Sequence, residues 1–175
     1  MTTHVFVATD GSETANKAVD MAADVAAKFG VPLTIGHVLQ YGRASEELAR
    51  MADVEHLVEH VTRKAGFDFA NVPDTMLGLF EETRPGNDSV RVITLIGEET
   101  LARAADRAKA REAERVTTVS SEGDAADAIL DMAADAGADI VVVGHRGLGR
   151  LKTALLGSVA HKVVQQAACT VVSVR

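Results

Sequence analysis

The chain has no tryptophan, one tyrosine and five phenylalanines, so aromatics are 3% of its 175 residues. That excludes a nucleic-acid platform built from stacked rings. Its single cysteine, Cys169, excludes an internal disulfide and fits a reducing compartment. No apolar run approaches the ~18 residues needed to span a bilayer. The first residues, Met1-Thr2-Thr3-His4-Val5-Phe6, lack a basic segment ahead of an apolar stretch. They read as the start of a strand rather than a secretion signal, and the expected location is cytoplasmic. Lys and Arg number 18 against 25 Asp and Glu, a formal net charge of -7, which excludes a bulk electrostatic grip on DNA or an anionic membrane. What is present is ordinary for a soluble globule: 47% hydrophobic and 25% charged residues. Disorder and collagen-like repeats are excluded, and the core must come from Ala, Val, Leu and Ile. The length predicts one domain with room for an insertion.

Strand and helix patterns alternate. His4–Thr9 is a short β-rich run ended by Asp10-Gly11-Ser12, where Ser12 is placed to cap a helix. Ala15, Ala18, Val19, Ala22, Val25, Ala26 and Phe29 recur at helical spacing, and Gly30 stops them. Pro32–Val38 is a second strand, which completes a βαβ unit and implies parallel strands. The middle is less regular. Ser45 to about Lys64 has helical periodicity, 84–89 reads as a loop, and Val90–Ile96 fits a strand or the start of a helix. Glu98–Arg115 is a helix rich in Ala, Glu, Lys and Arg. Val116–Ser120 is a strand, Asp124 caps a helix over Ala125–Ala136, and Gly137 ends it. Asp139–Val143 is a buried strand, Gly144–Gly149 a glycine-rich loop, Thr153–Ala167 a helix and Thr170–Val174 a last strand. This alternation predicts an open, mostly parallel α/β sheet covered on both faces.

The loop after Asp139–Val143 is the chemically informative stretch: Gly144-His145-Arg146-Gly147-Leu148-Gly149-Arg150-Leu151-Lys152. Strand carboxyl ends of a parallel sheet share one edge, where ligands bind at the switch point of strand order. Glycines bring backbone N–H groups close to an anion, and a following helix start adds partial positive charge. After Asp139 there is no further Asp or Glu, while Arg146, Arg150, Lys152, Lys162 and Arg175 follow. A polyphosphate is the natural ligand of such a stretch; a tight turn with solubilising cations is the alternative. The loop is not a standard P-loop, because Arg150-Leu151 stands where Lys-Ser/Thr belongs, and not a Rossmann fingerprint.

A longer spacing is more specific. Gly144, Gly147, Gly157 and Ser158 give G-x2-G-x9-G-[ST]. With this spacing the sequence resembles the universal stress protein family, specifically its ATP-binding branch. Ala8-Thr9-Asp10-Gly11-Ser12, His37-Val38, the run Glu122–Ile129 and the run Asp139–Gly144 add to the likeness, which covers residues 4–38 and about 98–175. The resemblance implies a five-stranded parallel sheet of order 3-2-1-4-5, the adenine nucleotide alpha hydrolase-like architecture, with ATP between strands one and four. It implies that Ala8, Thr9 and Asp10 line the nucleoside end and that Val38 meets the adenine. Val143 and Gly144 would flank the ribose and phosphates. Gly147, Gly157, Ser158 and Val159 would present N–H groups, and Ser158 its hydroxyl. His145, Arg146, Arg150 and Lys152 join the candidates on charge and position alone. Asp10 is open to two roles: holding a ribose hydroxyl or a water on Mg2+, or capping the turn.

The same resemblance implies a homodimer through strand 170–174, although Ala168-Cys169-Thr170 stands where the family often has proline. Segment 40–97 exceeds the family's usual connection. The expected function is a nucleotide-binding stress regulator, holding ATP (or ADP or AMP) with Mg2+ on the phosphates. It would hydrolyse slowly or not at all, have no catalytic residue set and act on an unidentified protein partner. A dimeric interaction module with an empty site, working through 40–97, is the alternative. A nucleotidyl-transfer enzyme would need a catalytic His or Lys set that the sequence does not offer. His56-Leu57-Val58-Glu59-His60 matches a zinc-protease motif but lacks a third ligand, and reads as a polar helix face. Cys169 reads as a small buried hydrophobe.

Overall fold

The computed structural model describes residues 2–39, 87–145 and 157–175. The elements are β1 (Val5–Ala8), α1 (Glu13–Phe29), β2 (Leu33–Leu39), α2 (Asn87–Lys109), β3 (Val116–Glu122), α3 (Ala125–Asp135), β4 (Ile140–Gly144), α4 (Ser158–Gln166) and β5 (Thr170–Val174). The strands form one parallel sheet in the order β3-β2-β1-β4-β5, as the resemblance implies. β1 pairs with β2 from Val5↔Leu33 to Ala8↔Gly36 and with β4 from Val5↔Ile140 to Val7↔Val142. The chain divides into two compact units, Met1–Val38 with Thr100–Arg175, and Leu39–Glu99. The helix expected over Ser45–Lys64 and the His56/His60 pair lie outside the described residues.

Side-chain alternation on β1 builds two cores. Val5 and Val7, with Leu33, Ile35 and Val142, pack against α1 and the Leu101–Ala108 stretch of α2. Phe6, with Val141 and Val143, packs against α3 and α4 through Ile129, Met132, Ala160 and Val163. Alanines at Ala15, Ala18, Ala22, Ala23 and Ala26 let α1 lie close to the sheet. Asp20 on α1 receives Arg107 of α2 and Arg111 just past its end, and the Arg107 hydrogen bond chiefly holds the Asp20 carboxyl below the usual range. At Gly36 an added Cβ would stand 2.3 Å from Phe6 Cζ and 3.2 Å from Met132 Cε. β2 therefore needs glycine there, so that the ring of its fully buried neighbour can cross it.

Both expected caps are present. Ser12 Oγ accepts from the Ala15 amide, and Asp124 accepts from the Ala126 and Asp127 amides. Helices α1 and α3 end alike: Val31 N–H bonds Ala26 O around Gly30 at φ 62, and Ala138 N–H bonds Ala133 O around Gly137 at φ 65.

Three boundaries differ from the sequence reading. The loop at 84–89 and the undecided run Val90–Ile96 give way, from Asn87 on, to one continuous helix. Ile93 and Ile96 are buried one turn apart, and their burial outweighs the β preference of a Val- and Ile-rich run. That helix stops at Lys109, short of Arg115. Ala113 N–H bonds Ala108 O around Glu112, at φ 65, the same end structure with no glycine to announce it. The reward is Ala113, 4% exposed in the core. Of the helix expected over Thr153–Ala167, the described part begins at Ser158.

The left-handed Glu112 and the crowded Gly36 can both be tested. Glu112→Gly removes a left-handed penalty on the order of 1 kcal/mol, so its urea midpoint should rise. Gly36→Ala should lower stability by about 1–3 kcal/mol through overpacking. Combined with Phe6→Leu, its cost should fall short of the sum of the two single changes, because the colliding ring end is gone.

Candidate functional site

β1 lies between β2 and β4, and the helices that follow β1 and β4 pack on opposite faces of the sheet. That is the switch point of the sheet, so the turns beyond the carboxyl ends of β1 and β4 diverge there. Exposure matches the geometry. Val5, Phe6 and Val7 are fully buried, whereas Ala8 at the strand end is partly exposed, as are Val38 and Gly144.

Ala8, Val38 and Val143 share one face of the sheet, that of Phe6, α3 and α4. They come from the carboxyl ends of three strands and form an apolar shelf at that edge. Thr9 and Asp10 come next, in the β1–α1 turn. Thr9 N–H bonds Gly36 O at 2.9 Å, and Thr9 Oγ1 accepts from Gly11 N–H at 3.2 Å. Asp10 Oδ1 accepts from Ser12 N–H at 3.0 Å, so the capping role left open in the sequence is present. The buried His37 ring lies 2.8 Å from Thr9 O through Nδ1. Burial pushes its pKa below the ordinary value, against smaller opposing effects of the Thr9 bond and the Asp10 charge.

On the β4 side the backbone of His145 joins three elements. Its N–H donates to Val174 O of β5 at 2.6 Å, and its carbonyl accepts from Gly157 N–H at 2.8 Å. The two ends of the intervening segment, 146–156, are thereby held together. Gly157 is the N-cap of α4, and among the described residues no side chain caps that helix. The first intrahelical bond is His161 N–H to Gly157 O. The amides of Ser158, Val159 and Ala160 are therefore the orphan donors of the first turn, with the positive end of the helix behind them. The Ser158 side chain beside them is exposed.

The structure thus brings Ala8, Thr9, Asp10, Val38, Val143, Gly144, His145, Gly157, Ser158 and Val159 to the carboxyl edge of one compact unit. Arg146, Gly147, Arg150 and Lys152 lie outside the described residues. One cation is corrected. Lys162, on α4, pairs with the start of α3 rather than with the loop: its Nζ lies 3.1 Å from Asp124 Oδ1 and 2.7 Å from Asp127 Oδ1. The two carboxylates attract it because they cluster at the start of α3, and its own pKa rises accordingly. His37 is the site neighbour that sequence reasoning did not single out as a side chain; its signal was a titratable group at the end of a buried strand. Among the described residues no group of His, Cys, Asp and Glu is arranged to hold a metal, and no helix is long and apolar enough to cross a membrane.

The sequence model of the universal stress protein family matches residues 1–175. Universal stress protein YxiE of Bacillus subtilis is 31% identical over 172 residues, covering 98% of this chain and 97% of that protein. Among solved structures, a universal stress protein in complex with cAMP superposes with a TM-score of 0.60 at 24% identity, over 99% of this chain and 97% of the other. The universal stress protein from Archaeoglobus fulgidus in complex with dAMP gives 0.58 at 19% identity, over 99% and 98%. Sheet order, turn sequence and whole-length match agree: this chain belongs to the universal stress protein family.

Proposed function

We propose that this protein is a stress regulator that binds an adenine nucleotide, ATP foremost, at the carboxyl edge of β1 and β4. Ala8, Val38 and Val143 receive the base, and Thr9 and Asp10 stand at the ribose. Gly144, Gly147, Gly157, Ser158 and Val159 offer amides to the phosphates, with Arg146 and His145 beside them. Mg2+ arrives on the phosphates. One observation carries the reading: the first turn of α4, whose glycine N-cap has no side chain to offer, is tied through Gly157 and His145 to the end of β4, next to the switch point. The cAMP and dAMP bound by structural neighbours support the adenine class. Hydrolysis is slow or absent, because the Asp10 carboxylate is engaged by the Ser12 amide and nothing else in the turn is a ready base. A reducing cytoplasm is the compartment that suits its lone Cys169.

We also propose a homodimer through β5. Among the described residues β5 is an edge strand bonded to β4 alone, with Val171, Val172 and Val174 half-buried. Thr170 N–H and Val174 O bond toward β4, so the alternate residues Val171 and Ser173 turn their N–H groups to the open edge. An open edge of this kind favours pairing with another strand.

Calorimetry should show ATP binding at or below millimolar nucleotide, abolished by Gly144→Val, with turnover below about 1 s-1. No heat with ATP, ADP or AMP contradicts the reading. In sedimentation, Ser173→Pro should yield monomer with the fold intact, since it removes an outward N–H and no β4 bond. An unchanged mass contradicts the edge pairing.

A further inference from the structure

The β1–β2 ladder ends at Ala8↔Gly36, one residue before the turn that begins the site. Beyond it, the Thr9 carbonyl is bonded by the His37 side chain rather than by a strand amide. A carbonyl only accepts, so Nδ1 carries the ring proton and Nε2 of the neutral ring carries none. On its other side the turn is braced by Asn16 Nδ2 to Gly11 O at 3.3 Å and by Ser12 N–H to Asp10 Oδ1. His37 is therefore the one side chain of β2 that sets where Thr9 and Asp10 stand.

On the reading that this edge holds the nucleotide, we propose that His37 is a positioning residue. Its neutral ring fixes the Thr9–Asp10 turn for the nucleoside, and a second proton on the ring releases the turn and weakens binding.

The physics is desolvation. His37 is 3% exposed, and its Nδ1 is committed to the Thr9 carbonyl. An imidazolium there would be a buried charge, a state that favours expulsion of the ring. Asp10 is the charged group among the described residues that pulls the other way, and it is outweighed by burial. Linkage sets the sign. The intact turn binds its proton less readily than the released one, whose ring titrates near the ordinary 6.5. Stability of the turn is full above that value and falls as pH drops through it toward the lowered one. Nucleotide affinity falls with it, reciprocally.

Asparagine can place an amide N–H where Nδ1 stands and cannot take a proton in this range; leucine keeps the bulk and loses the donor. Calorimetry with ATP is run on wild type, His37→Asn and His37→Leu from pH 7.5 to 5.5, with folding monitored by thermal melts. The nucleotide's own titration is common to all three. At pH 7.5, His37→Asn should bind within about threefold of wild type and His37→Leu about tenfold more weakly, a loss near 1.4 kcal/mol. Wild type should weaken on acidification more steeply than His37→Asn. If His37→Leu fails to fold, the pH comparison of the other two decides. An acid response unchanged in His37→Asn, or a folded His37→Leu that binds like wild type, overturns this inference and leaves nucleotide binding standing. Wild type that binds no nucleotide overturns the function first and this inference with it.

Discussion

The central strand has parallel neighbours on both sides, and the site depends on that placement. β1 is fully buried from Val5 to Val7, so it cannot offer a side chain to a ligand along its length. It can do so only where it ends. Because β2 and β4 flank it and the connecting helices lie on opposite faces, the chain parts beyond Ala8 and leaves an edge lined by strand ends. The apolar shelf of Ala8, Val38 and Val143 is the last row of one core, with Ala8 and Val38 left partly uncovered. Where the β1 ladder runs out, the chain turns polar at Thr9 and Asp10.

On the β4 side of this edge the groups on offer are backbone donors rather than side chains. Helix α1 is closed by Ser12 and α3 by Asp124, each with a side-chain oxygen taking up first-turn amides. Helix α4 begins at Gly157, which has no side chain to do so. Its opening amides are held next to β4 by the two bonds made by the His145 backbone. Lys162, five residues beyond Gly157, is drawn to Asp124 and Asp127 and so reinforces the α3–α4 contact instead of the edge. In an acidic protein this arrangement leaves main-chain dipoles, rather than cationic side chains, at the start of α4.

Most of this was legible in the sequence where local chemistry leaves a mark. Short β-branched runs ended by Asp-Gly or Gly located β1 and β4, Ser12 and Asp124 announced their helices, and Gly30 and Gly137 announced the stops. The strand order came from resemblance, since no pairwise contact can be read from periodicity. Two features were hidden for physical reasons. Val90–Ile96 has the composition of a strand, and only burial of Ile93 and Ile96 on one helical face decides the matter. The end of α2 relies on Glu112 in a left-handed conformation that sequence assigns to glycine. At the site, the residues at strand ends and at the α4 cap were readable as motif. The destination of Lys162 and the His37–Thr9 bond were not, because both are set by tertiary contacts between elements distant in sequence.

The most direct measurement is a titration of the isotopically labelled protein with ATP, monitored through backbone amide resonances. The account predicts shifts concentrated at Thr9–Ser12, Val38, Gly144–His145 and Gly157–Ala160, with the amino ends of the strands near Val5, Leu33 and Ile140 unmoved. Shifts confined to that opposite edge, or a spectrum unaltered at saturating nucleotide, would contradict it.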